Sequence, residues 1–202
     1  MAKKHPRVVT PTATAKFAHL NKPDTMFNKG GVYHVTLIIP KDDASELVDS
    51  IKGVAKKYIK RLKEDKPTVK VAPLPFKDAV GEDGSPTGEL EFKFKMNASG
   101  GQGQDQWTQR PQLMDANKEP MSESIGHGSK VKVAGEVVAY ASASYGAGVS
   151  LRLKAVQVIE LREFSSYGDD WGFESQEGFT TKSSGGEDKK QESDEIDGFD
   201  FD

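Results

Sequence analysis

The chain has 202 residues and a formal charge of −3, but that charge is split: residues 1–163 hold 25 Lys+Arg against 19 Asp+Glu, and residues 164–202 hold 3 against 12. A basic body followed by an acidic tail points to a polyanion partner and a segment able to compete for it. The absence of cysteine excludes disulfides, thiolate metal sites and thiol catalysis, and no apolar run approaches the roughly 20 residues of a membrane span.

In chain order, residues 7–19 (RVVTPTATAKFAH) read as a first strand interrupted by Pro11, with Phe17 near its end. Residues 31–39 (GVYHVTLII) are β-rich and stop at Pro40. A helix follows over about 42–65. Leu47, Ile51, Val54, Tyr58 and Leu62 repeat at steps of four and three, and Asp42 or Asp43 is placed to cap it. Lys52, Lys56, Lys57, Lys60 and Lys63 fill its other faces and read as a solvated surface. Residues 66–88, rich in Pro, Gly and Asp, read as a long loop.

Residues 89–98 (ELEFKFKMNA) alternate without error. Leu90, Phe92, Phe94 and Met96 face a core; Glu89, Glu91, Lys93, Lys95 and Asn97 face away. Residues 99–128 are polar and Gly-rich, with one short strand expected at Gln112–Asp115. Residues 129–140 and 146–163 form two further strands, and the ASASYGAG between them supplies the turn of a hairpin. The apolar phase of the last strand shifts near Ala155, which predicts a bulge. From Phe164 the chain has too few aliphatics to bury and is expected to be disordered.

The expected fold is mainly β: a five-stranded oligonucleotide-binding (OB) barrel with one inserted helix. The pattern alone also allows an α+β sandwich, and the helix falls earlier than in the usual OB order. The expected domains are a body, 1–163, and a tail, 164–202.

No catalytic set is present. The four histidines (His5, His19, His34, His127) fit no metal-ligand spacing, and neither a GxxxxGK[ST] loop nor a GxSxG elbow occurs. We therefore expect no enzyme, metal or cofactor. Binding chemistry is better represented. Single-strand binders set cations along a backbone path and aromatic faces beside it. Lys93 and Lys95 lie opposite the apolar row of their strand, Lys130 and Lys132 repeat that arrangement, and Arg152 sits in the partner strand of the hairpin. Trp107, in a polar loop, and Tyr140, beside the hairpin turn, are the aromatic candidates; Tyr33, Phe92 and Phe94 read as core.

The blocks MAKK, HLNKPD (19–24), GVYHVTLIIP (31–40), EFKFKMNAS (91–99), GHGSKVKV (126–133), GAGVSLRLKAVQVIEL (146–161) and GDDW (168–171) stand in the order of a known family. Together they resemble the single-stranded DNA-binding proteins of short-tailed lytic phages. The resemblance implies an OB barrel with an early helix. It implies DNA contacts at Lys3 and Lys95 and stacking at Tyr140. It also implies a homodimer, and roles in replication, recombination and strand annealing in the cytoplasm of the infected host. The family carries a lysine and a tyrosine where this chain has Ala134 and Gly135, and its chains end on phenylalanine where Asp202 follows Phe201 here. The ending SDEIDGFDFD then reads as a docking tip. Asp197, Phe199, Asp200, Phe201 and Asp202 would engage the phage polymerase and helicase-primase, an aromatic anchor among charges. The rival reading is an acidic-tailed chaperone or scaffold that never touches DNA.

Overall fold

The computed structural model describes residues 5–81 and 83–162. The tail residues 164–202, with Asp197, Phe199, Asp200, Phe201 and Asp202, lie outside them, as does Lys3.

Ten strands and one long helix make up this part: β1 (Arg7–Val9), β2 (Ala13–Asp24), β3 (Val32–Pro40), α1 (Ser45–Asp65), β4 (Phe76–Val80), β5 (Pro86–Asn97), β6 (Ser99–Gly100), β7 (Trp107–Thr108), β8 (Gln112–Met114), β9 (Lys130–Ser142) and β10 (Gly146–Glu160). β2 pairs β3, β3 pairs β5, β5 pairs β10 in parallel, β10 pairs β9, and β9 pairs back to β2. The ladder thus returns to its starting strand, and five strands enclose one core, as in an OB barrel. Two of the five contacts are short. β9 meets β2 only at Ala13↔Val131 and Thr14↔Lys130, and β5 meets β10 only at Leu151↔Phe94 and Arg152↔Lys95.

Alternation along these strands dictates the interior. Leu37, Ile39, Phe92, Phe94, Val131, Val133, Val137, Leu153 and Val156 are buried and cluster together. Gly135, also inward, is required by Phe94. A Cβ there would lie 2.8 Å from the Phe94 ring and 2.6 Å from the Arg152 carbonyl oxygen. Helix α1 follows β3 and buries Leu47, Ile51 and Ala55 in the same core. Leu20 and Ile125 are buried in the same cluster, with Leu113 and Met121 packed against it.

The interruption expected at Pro11 is present: β1 ends at Val9 and β2 begins at Ala13, because Pro11 offers no amide N–H to a ladder. Thr10 instead spans the gap: its N–H donates to the Val133 carbonyl (3.0 Å), and its Oγ1 accepts from Val133 N (3.0 Å). Phe17 does not end a strand. It sits inside β2 at a register shift, with φ of 50° and its side chain exposed. Residues 66–88 are not all loop, since Phe76–Val80 forms β4 against β5 and β5 itself begins at Pro86. Neither Asp42 nor Asp43 caps α1. Ala44 is the capping residue and makes no side-chain bond, and the Ser45 hydroxyl donates to the Asp42 carbonyl. The bulge expected near Ala155 is present. Leu153 pairs Gly135 and Ala155 pairs Ala134, which leaves Lys154 without an opposite residue. The short strand expected at Gln112–Asp115 is β8, paired in parallel with Ala155–Gln157 of β10.

Candidate nucleic-acid interface

The outward faces of neighbouring strands align by register. His19 of β2 is opposite His34 of β3, His34 opposite Lys95 of β5, and Lys95 opposite Arg152 of β10. One step along, Lys16 is opposite Thr36, and Thr36 opposite Lys93. Adjacent strands are about 4.8 Å apart, so these residues form a row crossing the sheet rather than running along any one strand.

At the Arg152 end of the row lies a cleft of about 440 Å³ lined by Lys95, Asn97, Trp107, Gln109, Ser150, Arg152 and Lys154. Trp107 reaches it through the hairpin of β6 and β7, where Gly100 pairs with Trp107 and Ser99 with Thr108. The hairpin is tied to the end of β5. Gln109 N donates to the Ala98 carbonyl and Gln109 Nε2 to the Asn97 carbonyl, both at 2.8 Å. The Trp107 ring lies against Gly100 and is 44% exposed, so one aromatic face is offered to solvent beside three cations.

Glu136 is the acid nearest these cations. Its Oε2 lies 3.7 Å from Arg152 Nη1 and 3.8 Å from Lys154 Nζ. One carboxylate between two cations orients both and leaves the group net positive. Such a surface, with a ring at its edge, suits a phosphodiester backbone with unpaired bases.

The row also contains a histidine pair. The His19 and His34 rings are 4.7 Å apart, and His34 Nε2 lies 3.5 Å from Asp24 Oδ2 while its Nδ1 is buried without a partner. Burial chiefly, then the neighbouring His19 and Lys93, holds the His34 imidazole below its ordinary value of 6.5, against a weaker opposing pull from Asp24. Below pH 6.5 the unfolded chain therefore binds this proton more readily than the folded chain. The His34 contribution to stability is flat above pH 6.5 and declines as pH falls from 6.5 toward the lowered value. Melting temperatures measured between pH 7 and pH 5 should fall on acidification, and His34→Gln should make that fall shallower.

Not every candidate joins the cleft. Lys95, Trp107 and Arg152 do, and Lys93 is exposed two residues along the same face of β5. Lys130 and Lys132 are far along β9, opposite Glu160 and Gln157, and the Lys130 ammonium donates to the Thr14 hydroxyl (2.9 Å). Neither lines this cleft. Tyr140 is half-buried on the outer face of β9 opposite Gly148, where a Cβ would lie 3.2 Å from its hydroxyl. Its ring thus lies across β10, upstream of Ser150 and Arg152. Tyr140→Ala is expected to weaken single-strand binding by about 1–3 kcal/mol, the usual worth of one stacking ring. A half-buried ring also lends some stability, so the melting temperature should fall modestly. A large fall with unchanged DNA affinity would assign Tyr140 to packing alone.

Sequence reasoning passed over Lys16, His19, His34, Met26 and Phe27. Met26 and Phe27 are the most exposed large apolar residues described, 79% and 92%. Their loop between β2 and β3 is held against the Trp107 hairpin by the Ser99 hydroxyl, which donates to the Gly30 carbonyl (2.7 Å). The available signal was two adjacent apolar side chains in a loop of Asp, Asn, Lys and Gly.

Among the described residues no group of His, Asp or Glu is arranged to hold a metal, and no helix is long and apolar enough to cross a membrane. Comparison with curated protein sequences found no match. The structure is similar to that of gp2.5, a single-stranded DNA-binding protein encoded by bacteriophage T7. The TM-score is 0.68 at 28% identity, over 88% of this chain and 99% of that one. It also shares its fold with the single-stranded DNA-binding protein of bacteriophage Enc34. A C-terminal truncation of that protein gives a TM-score of 0.51 at 18% identity, over 78% of this chain and 87% of that one. Its complex with single-stranded DNA gives 0.50 at 20% identity, over 80% and 89%. The family model described as single-stranded DNA-binding protein, bacteriophage T7, matches residues 12–161, which span the barrel from β2 to β10 and every residue of the cleft; the chain belongs to that phage single-stranded DNA-binding protein family.

Proposed function

We propose that the chain binds single-stranded DNA without strong sequence preference across the outer face of β3, β5 and β10. The observation that carries this is the cation row ending at Trp107. Lys95, Arg152 and Lys154 supply charge beside the ring, and the ring supplies a face that accepts any base. Lys93 and Tyr140 extend the same surface, and Lys3, by its place in the family pattern, would add a contact from the N-terminus. In this reading residues 1–163 are the binding body and residues 164–202 a separate acidic tail.

Coating exposed strands in this way serves phage DNA replication and recombination in the cytoplasm of the infected host. Bound protein shields the strand, holds hairpins open and presents bases for annealing to a complement. The tail occupies the cationic face when DNA is absent. When DNA displaces it, Phe199 or Phe201 with the flanking Asp197, Asp200 and Asp202 docks on the phage polymerase or helicase-primase. The working unit is a homodimer, and the chemistry is binding rather than catalysis.

Retention on single-stranded DNA-cellulose with elution by salt is the first test. The logarithm of affinity should fall linearly with the logarithm of salt concentration, with a slope of about −0.7 per phosphate neutralised. An affinity indifferent to salt, or a preference for duplex, would overturn the proposal, and no retention at all would favour the scaffold reading.

A further inference from the structure

We infer that the bound single strand does not end at the Trp107 cleft but continues into a second basic cleft of about 820 Å³, between the far half of β2 and residues 110–122. The inference rests on the proposed single-strand binding and adds a subsite to it. Exposed Lys22, Arg110 and Lys118 stand at this second cleft, and Leu20, Met114 and Met121 give it apolar walls. No carboxylate-bearing residue lines it. Three acids adjoin lining residues in sequence: Asp115 Oδ1 accepts from Asn117 N and Glu119 N at 2.8 Å each, Glu123 Oε2 accepts from Ser122 N at 2.9 Å, and Glu119 is exposed in the turn between Lys118 and Pro120.

Two features connect the clefts and fix their shape. First, their linings follow one another along one segment: Trp107 and Gln109 line one, and Arg110, Pro111 and Gln112, the next residues along, line the other. A strand leaving the Trp107 face therefore meets Arg110 next. Second, the walls of the second cleft are bolted together. Asn21 Nδ2 donates to the Ser122 carbonyl (3.0 Å) and the Glu123 carbonyl (2.8 Å), and Asn21 Oδ1 accepts from Ile125 N (3.1 Å). Three cations around apolar walls suit phosphates with sugars and bases laid against Met114 and Met121. An acidic peptide offers similar charge. Continuity with the first cleft favours the nucleic acid.

The test compares two full-length variants with equal loss of charge. One carries Lys22→Gln, Arg110→Gln and Lys118→Gln. The control carries Lys56→Gln, Lys57→Gln and Lys60→Gln on the exposed face of α1. Both are titrated with oligothymidylates of about 4 and about 16 nucleotides, the span of site sizes for one OB barrel. Matching melting curves establish that both are folded. The short oligomer should bind both variants within about twofold of the unaltered chain. The long one should bind the cleft variant about tenfold more weakly at low salt, with a salt slope shallower by about 2, as three lost phosphate contacts require. Equal effects of the two variants on the long oligomer, or equal losses on short and long, would overturn the proposal. So would a cleft variant that keeps its long-oligomer affinity while losing a labelled SDEIDGFDFD peptide, because the cleft would then belong to an acidic peptide. If the unaltered chain binds neither oligomer, the single-strand reading itself fails, and the subsite with it.

Discussion

Trp107→Ala should lower affinity for single strands by about 1–3 kcal/mol and leave the melting temperature nearly unchanged. The ring stands on a hairpin of two two-residue strands outside the barrel, with 44% of its surface exposed, so its removal opens no core cavity. A second variant reaches the same site without touching it. A methyl group at Gly100 would fall inside the van der Waals envelope of the Trp107 ring. Gly100→Ala must push the ring from its place beside Lys95 and Arg152. It should therefore weaken binding by a sizeable fraction of the Trp107→Ala loss, although residue 100 lines neither cleft. Titration of each variant into a fluorescently labelled oligothymidylate, read by anisotropy, gives both affinities without relying on Trp107 as the reporter. Full affinity in both variants would remove Trp107 from the interface.

The second large effect concerns the tail, and it runs in opposite directions for two partners. Deleting residues 177–202 removes nine acidic and three basic side chains. If those charges compete for the cationic row, the shortened protein binds DNA more tightly. The gain should be greatest at low salt, where the Debye length is about 30 Å at 0.01 M. Binding to the replication partner should be lost with the same deletion. Phe199→Ala with Phe201→Ala keeps every carboxylate and separates the two roles. DNA affinity should hold, while partner binding falls by about 2 kcal/mol or more, the usual worth of an aromatic anchor. Equal DNA affinity with and without the tail at low salt would rule out competition. Undiminished polymerase binding by the double-Phe variant would make the FDFD ending an accident of composition.

How much of this was legible in the sequence depended on whether the signal was local. Alternation at Leu90, Phe92, Phe94 and Met96 is a property of one strand, and it placed Lys93 and Lys95 on the outer face. The 3.6-residue stripe from Leu47 to Tyr58 placed the helix, and the phase slip near Ala155 placed the bulge. Register between strands is not local. That Arg152 stands beside Lys95, while Lys130 and Lys132 stand at the other end of β9, follows from which residues pair across the barrel. Two identical-looking Lys-x-Lys patterns therefore parted company. The His19–His34 pair was hidden for the same reason, being two unremarkable residues until β2 lies on β3. β4 was missed because FKDAV is short and sits among Pro, Gly and Asp. Its pairing with β5 supplies what its own sequence does not.

The way β9 joins the barrel has a consequence for synthesis on the ribosome. β9 is the partner of β1 and the second partner of β2, it forms the long ladder with β10, and β10 also completes the contact with β5. When residue 97 has emerged, β2, β3, β5 and β4 can form a sheet with α1 against it, but the β2 edge, the part of the β5 edge beyond β4 and the part of the inner face that β9 and β10 cover stay open until residue 160 follows. At about 5–20 residues per second that interval lasts roughly 3–13 seconds. Throughout it the nascent chain shows unpaired strand edges and the Phe94 ring without its β9 and β10 neighbours, the features that make intermediates aggregate. Such a chain invites a ribosome-associated holdase. The highly charged segment that emerges directly behind β10 would help keep it dispersed while the ring closes.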